Sequence, residues 1–409
     1  MLMDGSRKAA VIGAGPAGLM AAEVLLENNI CVDIFEAKPT IGRKFLMAGK
    51  SGLNITHAED LKLFLSKFSP KLDTIENSIK NFTPSMLREW MSKLGVETFE
   101  GSSNRVFPRE MKASPLLRKW HNRLSEQSLK THLNHRWKGW SDNGKLLFCC
   151  PSGIYEHTSD AVILALGGAS WPRLGSDANW LKLFEERGIA VKQFFPSNCG
   201  FSFDWSHVFL YRFAGIPIKS CSVTVDGITI SGDLVITAYG MEGSPIYTHS
   251  EALQKQIKVN GYGILSLDLY PDKPVDELVT RLTTRNPKIS LSNYLRKNGN
   301  LSPIKASLLR EFLDDQSFKN PRILAKKIKN LSLKTQESQP IDRAISSGGG
   351  VKFTEVDEHL MLKAYPGIFV AGEMLDWNAP TGGYLINCCM ALGRQAGAGA
   401  NNWMLRTSN

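Results

Sequence analysis

The chain reads AAVIGAGPAGLMAAEVLL at residues 9–26 and CVDIFE at residues 31–36, and these two stretches decide the fold. Ala9 to Ile12 is short, apolar and β-compatible, as a central parallel strand must be. Gly13 permits a sharp turn, Gly15 lets a pyrophosphate come where a Cβ would stand, and Gly18 lets the next helix pack close to the strand. That helix, expected from about Ala17 to Asn28 with Pro16 at its start, aims free N–H groups and roughly half a positive charge at an anion. Glu36, closing the second strand, can accept both hydroxyls of a ribose, and its charge repels a 2′-phosphate, which argues against NADP at this position. The expectation is a dinucleotide pocket, for FAD or NAD, with Gly13, Gly15, Pro16, Ala17, Gly18, Glu36 and Ala37 as candidate contacts. The plain alternative is a βα turn whose glycines serve packing alone.

Three more stretches bear on which dinucleotide. In EAKPTIGRKFLMAGKSGLNIT (36–56), the part from Gly42 to Asn54 is too polar and broken for a simple helix and reads as an ordered loop across the ligand. DAVILALGGASWP (160–172) reads as a buried strand ending in a double-glycine turn. GIFVAGEMLDWNAPTGGYLINCCMALGRQAG (367–397) reads as a strand, then Gly372, Glu373 and Asp376, then Gly382 and Gly383 opening a second long helix.

Together these pieces resemble the glutathione-reductase-like superfamily of FAD enzymes. The resemblance implies that Asp376 holds the ribityl and pyrophosphate end, and that the helix from about Gly383 points its N-terminus at the flavin pyrimidine edge, favouring anionic reduced flavin. More closely, RKFLMAGKSGLNIT (43–56), NRVFPREMKASPLLRKW (104–120), ISSGGGVKF (345–353) and VAGEMLDWNAPTGGYL (370–385) are similar to the YhiN/BaiN-like family of bacterial FAD-dependent oxidoreductases, across most of the chain. The loop usually written in that family as a glycine run, Arg, Cys, Asn reads here Lys50, Ser51, Gly52, Leu53, Asn54. The Arg and Cys are absent, which places the chain on a side branch whose substrate does not carry over from better-known members. The resemblance implies FAD as cofactor, with Arg43, Lys44, Ser51, Gly52, Asn54, Ala165, Leu166, Gly167, Gly372, Glu373, Asp376, Gly382, Gly383, Tyr384 and Leu385 as further contacts, and Trp377 beside the ring or packed under it.

The fold class expected is α/β: a discontinuous Rossmann-like FAD-binding domain, residues 1–193 and 344–409, because its motifs lie at both ends of the chain. Between them, residues 194–273 read as a β-rich insert resembling a barrel, with Asp226–Gly227 as a hairpin turn. Residues 274–332 read as a basic helical subdomain and 333–343 as a return segment. In the first part, Thr83–Pro84 starts a helix to about Leu94, Ser114–Pro115 starts another to about Glu126, and Asn104 to Arg109 forms a turn and short strand.

With 409 residues, two or three domains are expected, and 43% apolar with 22% charged residues is the composition of a globular, cytoplasmic protein. No apolar run approaches the 18 or so residues of a membrane span. Seven cysteines, two pairs of them adjacent (Cys149–Cys150, Cys388–Cys389), read as reduced thiols. Neither a C-x-x-C nor a second strand–GxGxxG–helix occurs, so NADH or NADPH, if used, binds transiently against the flavin, or the substrate itself reduces the flavin. Between Arg281 and Lys334 there are 13 Lys or Arg against three acids, an excess equal to the +10 of the whole chain. That segment is either a solvated helical face or a surface for an anionic partner: RNA, an acidic substrate or a negatively charged membrane. The histidines, His57, His132 and His135 among them, lack partners at ligand spacing; no metal site and no catalytic acid or base is legible, and the oligomeric state is open. The activities that fit are an FAD-dependent oxidoreductase of a small organic molecule (a reductase of a conjugated double bond, or an oxidase of a small amine), an RNA-associated flavoprotein, and a non-catalytic redox-sensing flavin module.

Overall fold

Strand β1 (Lys8–Ile12) is buried from Ala9 to Ile12 and lies at the centre of a five-stranded parallel sheet. Helix α1 (Pro16–Glu27) follows the turn, and β2 (Cys31–Phe35) pairs on one side of β1. Next come α2 (Arg43–Ala48), β3 (Thr56–His57), β4 (Arg105–Pro108), α3 (Ala113–Glu126) and β5 (Lys130–His132), then β6 (Ala161–Leu164), β7 (Ile368–Val370) and α4 (Tyr384–Thr407). The sheet order is β7-β6-β1-β2-β5. This is a computed structural model, and it describes residues 7–50, 52–101, 103–284 and 289–407. The chain divides into two units, Met1–Phe195 with Ser346–Asn409, and Pro196–Ile345.

In the first unit the two ends of the chain meet through α1 and α4. A Cβ at Gly393 would stand 2.2 Å from the Ala17 carbonyl oxygen, and one at Gly397 would stand 2.8 Å from that of Ala21. The helices therefore cross with backbone against backbone, which only hydrogen side chains permit at Gly393. On its other face α1 buries Glu23, whose carboxylate accepts from Trp90 Nε1 at 3.1 Å and Trp120 Nε1 at 2.7 Å and pairs with Arg123. Burial pushes that carboxyl up, against the pull of Arg123 and the two indoles.

Two local expectations need correction. The stretch after Gly42 is not a continuous loop: Arg43–Ala48 forms α2, since RKFLMA is a run of good helix formers and Phe45 has core to bury. Helix α3 starts before Ser114, with Lys112 at its N-cap and no side-chain bond there. The helix at Pro84–Lys93 does begin as its sequence implies, with the Thr83 hydroxyl accepting from Met86 N at 3.2 Å.

The second unit holds a six-stranded antiparallel sheet in the order 201–202, 240–243, 228–237, 217–225, 263–268, 331–335. Its ends approach closure: Ser202 N donates to Glu337 O at 2.9 Å, and Gln339 N to Gly200 O at 2.8 Å. Asp226–Gly227 makes the hairpin turn between 217–225 and 228–237. Short helices occupy Val275–Thr283, Leu291–Lys297, Pro303–Phe312, Asp315–Lys319 and Pro321–Lys329. Val223, Leu265 and Leu333 of the strands share one apolar core with Leu278, Leu309 and Leu324 of the helices, so barrel and helices pack as one body.

Candidate functional site

A cleft runs along the C-terminal edge of the parallel sheet in the first unit, the side on which open α/β sheets bind their ligands. Its floor is the β1–α1 turn. Gly13, in the left-handed region at φ +104°, tucks under Ala165, where a Cβ would strike the carbonyl oxygen at 2.2 Å. Gly18 lies beneath the turn, a Cβ there falling 1.9 Å from Gly13 O. At Gly15 the result is opposite: a Cβ meets nothing within 4 Å. The protein has no internal need for glycine there, and the space in front of it is part of the cleft. Gly15 is also the N-cap of α1 without a side-chain cap, so the first N–H groups of a 12-residue helix face that space.

Glu36 closes one end. Its Oε2 accepts from Ala14 N at 3.1 Å and its Oε1 from Lys38 N at 2.9 Å. Burial pushes its carboxyl above the usual value, against these two N–H groups. At the other end Lys44 Nζ reaches Glu373 Oε2 and Ser170 Oγ, each at 2.7 Å. Cys389 lines this end too; burial, and then the Glu373 carboxylate, push its thiol up.

Of the sequence-derived candidates, Gly13, Gly15, Pro16, Ala17, Glu36, Ala37, Arg43, Lys44, Ala165, Leu166, Gly167 and Glu373 line the cleft. Others stand behind it or beyond its end. Gly18 supports the turn, and Gly372 backs onto Ala17. Gly52 lies on Met111, and Leu385 packs on the core. Asn54 Nδ2 donates to the carbonyls of Thr56 and Val106. Gly382, Gly383 and Tyr384 gather at the start of α4 beside Thr56 and His57. Asp376 is paired with Lys192 Nζ at 3.2 Å, and the late carboxylate in the cleft wall is Glu373. Ser51 lies outside the described residues. Trp377 is buried, its Nε1 donating to Gly372 O at 2.9 Å.

Residues that sequence reasoning missed include His135, Trp137, Leu174 and Ser176. They come from an antiparallel ribbon and an irregular loop, whose sequences carry no cofactor signal. Three buried polar atoms on the cleft wall, Arg43 Nε, Trp137 Nε1 and Ser176 Oγ, have no hydrogen-bond partner among the described residues. Buried polar atoms are nearly always satisfied, so three in one cleft mark a missing polar ligand. Donors, an uncapped helix N-terminus, an empty place at Gly15 and a ribose-seeking Glu36 fit a dinucleotide. Among the described residues no helix is long and apolar enough to cross a membrane, and no cluster suited to a metal ion occurs.

Residues 7–399 match the HI0933-like protein Rossmann domain. The chain is 24% identical to a 3-dehydro-bile acid delta(4,6)-reductase of Clostridium scindens, over 95% of this chain and 98% of that protein. It is 23% identical to a ribosomal RNA dihydrouridine synthase of Haemophilus influenzae, over 94% of this chain and 98% of that protein. Among solved structures, a 3-ketosteroid-delta4-(5alpha)-dehydrogenase from Rhodococcus jostii RHA1 aligns with TM-score 0.51 at 13% identity, over 98% of each chain, a likeness of fold.

Proposed function

We infer that this chain, which belongs to the HI0933-like Rossmann-domain family, is an FAD-dependent oxidoreductase that reduces a carbon–carbon double bond conjugated to a carbonyl in a small organic molecule, with NADH or NADPH as transient donor. The observation that carries the cofactor reading is the open place at Gly15, in a cleft whose wall also holds the unpartnered Arg43, Trp137 and Ser176 atoms. The α1 N-terminus would hold the pyrophosphate and Glu36 the adenosine ribose. Lys44, fixed by Glu373 and Ser170, would set the charge at the far end, the place that the resemblance gave to Asp376. Reduced FAD supplies a hydride. Two relatives of different substrate size support the same bond chemistry: a delta(4,6)-reductase and a dihydrouridine synthase both name the addition of two hydrogens across a double bond conjugated with a carbonyl. Anaerobic stopped-flow tests it: NADH or NADPH should bleach the bound flavin, and an α,β-unsaturated ketone should restore its colour. Rapid peroxide formation with a small amine, without nicotinamide, would replace this reading by an amine oxidase.

A second reading is supported by the helices of the second unit. Arg296, Lys297, Arg310, Lys319, Arg322 and Lys326 are all exposed there, while Arg285 and Lys288 lie outside the described residues. Such a face suits a polyanion, and a uracil ring in RNA is a conjugated acceptor of the kind just described. Retention on structured RNA at low salt, lost when Arg296, Lys297, Lys326 and Lys327 are neutralised, would select RNA as the substrate. No retention of the unaltered protein would end this reading.

A further inference from the structure

The second unit carries a cavity of its own, and it shares no residue with the cofactor cleft. The strand 217–225 leaves the ladder with its neighbour between Ile218 and Cys221, so Lys219 and Ser220 fall outside the pairing. Such a bulge re-aims the groups around it. Here the bulge lines a concave space together with Leu269 and Tyr270, which follow the strand 263–268, and with the chain from Asn300 to Lys305, which opens the helix Pro303–Phe312. Phe213 and Ile216 complete the wall, and no acidic residue lines it among the described residues.

Lys305 is the unusual member of that lining. It is 9% exposed, and a lysine is almost never so buried without an acid beside it. Its Nζ donates to Leu269 O at 2.7 Å and to Ser220 O at 3.0 Å, both neutral acceptors. The carboxylates nearest in charge are engaged elsewhere: Asp268 pairs with Lys329 at 2.8 Å, and Asp233 accepts from Ser220 N at 3.0 Å. An ammonium carries three N–H groups, so one is left over. Burial holds the amine below its ordinary value, with Cys221, Tyr270, Asp268 and Asp233 opposing. The helix sharpens the imbalance. Its N-cap, Ser302, makes no side-chain bond and Pro303 has no N–H, so the Ile304 and Lys305 N–H groups and the positive end of the dipole stand at the same cavity. A buried charge, a spare N–H and an uncapped helix start all lack the same thing, an anion.

We propose that this cavity binds a small amphipathic carboxylate, its charged end on Lys305 Nζ and the helix N–H groups, its apolar part against Phe213, Ile216 and Leu301. The walls select that class. Phe213, Leu301 and Ile304 are buried side chains that line the cavity, and Ile216, 41% exposed, stands where it meets solvent. Inorganic phosphate would answer the charge and leave this apolar surface wet. A neutral alcohol would cover the surface and leave the charge unanswered. Asn300 Nδ2 donates to Tyr270 Oη at 2.8 Å, which satisfies the polar side of the wall without drawing on Lys305. The exposed Lys219 on the bulge adds a second cation at the rim.

The test is calorimetric titration of the full chain, as purified, with octanoate, 1-octanol and inorganic phosphate at neutral pH. Octanoate should bind more tightly than either control by about tenfold or more, the worth of one charged hydrogen bond. K305M should weaken octanoate by about 10–150-fold on the same arithmetic and leave 1-octanol little changed. That substitution also strands the Ser220 and Leu269 carbonyls, so I216W serves as a second variant: at an exposed position, its indole should fill the cavity and abolish octanoate binding while circular dichroism shows the fold intact. If K305M does not fold, I216W decides alone. No heat with millimolar octanoate, equal affinity for octanoate and 1-octanol, phosphate bound as tightly as octanoate, or octanoate binding undiminished in folded K305M or in I216W would each overturn the inference.

Discussion

Lys44 and Glu373, 329 positions apart in the chain, meet at 2.7 Å in the wall of the cleft, and both are more than three-quarters buried. Removing the ammonium leaves a sheltered carboxylate facing the cofactor space. K44M should weaken FAD binding by roughly 10–150-fold, the equivalent of about 1.5–3 kcal/mol for a charged hydrogen bond. K44M/E373Q should recover part of that loss, because the stranded charge is gone as well. Fluorescence titration of the cofactor-free protein with FAD measures both. Equal loss in the single and double variants would separate the two residues energetically.

The turn glycines should behave oppositely. Gly15 has nothing within 4 Å of a built Cβ and an ordinary φ of −84°. G15V should therefore fold with stability within about 0.5 kcal/mol of the original while losing FAD. G13A places a methyl against Ala165 O and strains the backbone, so it should unfold earlier by about 1–3 kcal/mol even without cofactor. Thermal melts of cofactor-free protein, with and without added FAD, distinguish the two.

At the crossing of α1 and α4, G393A should destabilise more than G397A, since the nearest carbonyl oxygen is 2.2 Å away in one case and 2.8 Å in the other. Overpacking of this kind costs about 1–3 kcal/mol. Urea unfolding should show a lower midpoint with an unchanged slope. A G393A protein as stable as the original would mean that the helices move apart freely.

Acid should weaken the second unit through His249, which is 3% exposed and donates from Nε2 to Val223 O at 3.1 Å. Burial holds its imidazole below the ordinary 6.5, against the pull of Val223 and Asp226. The native state thus binds fewer protons than the unfolded chain, and stability is lost as pH falls below about 6.5. His57 and His157 act with the same sign, while the raised Glu23, Glu36 and Glu242 act oppositely from pH 4.5 upward. The informative quantity is therefore the difference between H249Q and the original protein. H249Q should have a flatter stability profile between pH 5 and 6.5, and identical profiles would remove His249 from the account.

How much of this the sequence disclosed follows from how local each cause is. Gly13, Gly15 and Gly18 are legible because turn, ligand approach and helix packing all act within six residues of one another. Glu36 is legible because β2 must end beside β1. The choice between Glu373 and Asp376 is not: both follow the same strand at turn-like spacing, and only tertiary placement gives one to Lys44 and the other to Lys192. Helix α2 was hidden by its flanking glycines, which start and stop it and look like loop when counted by composition. Trp137 and Ser176 reach the cleft from elements whose own patterns concern only their local pairing. Closure of the barrel, through Glu337 and Gln339, depends on contacts more than 130 residues apart, beyond the reach of any periodicity.

The joining of α1 to α4 also sets an order on biosynthesis. Ala17 leaves the ribosome some 370 residues before Gly393, and until α4 emerges the first β-α-β piece has neither its covering helix nor the Glu373 wall. A nascent chain can complete and bury the separate core of residues 196–345 while its N-terminal segment waits, open to chaperones and proteases. Cofactor can be captured only after the last helix is made. FAD supply would therefore act on the yield of finished protein through a post-translational step, and depletion of the vitamin precursor should shorten the lifetime of completed chains without changing their rate of synthesis.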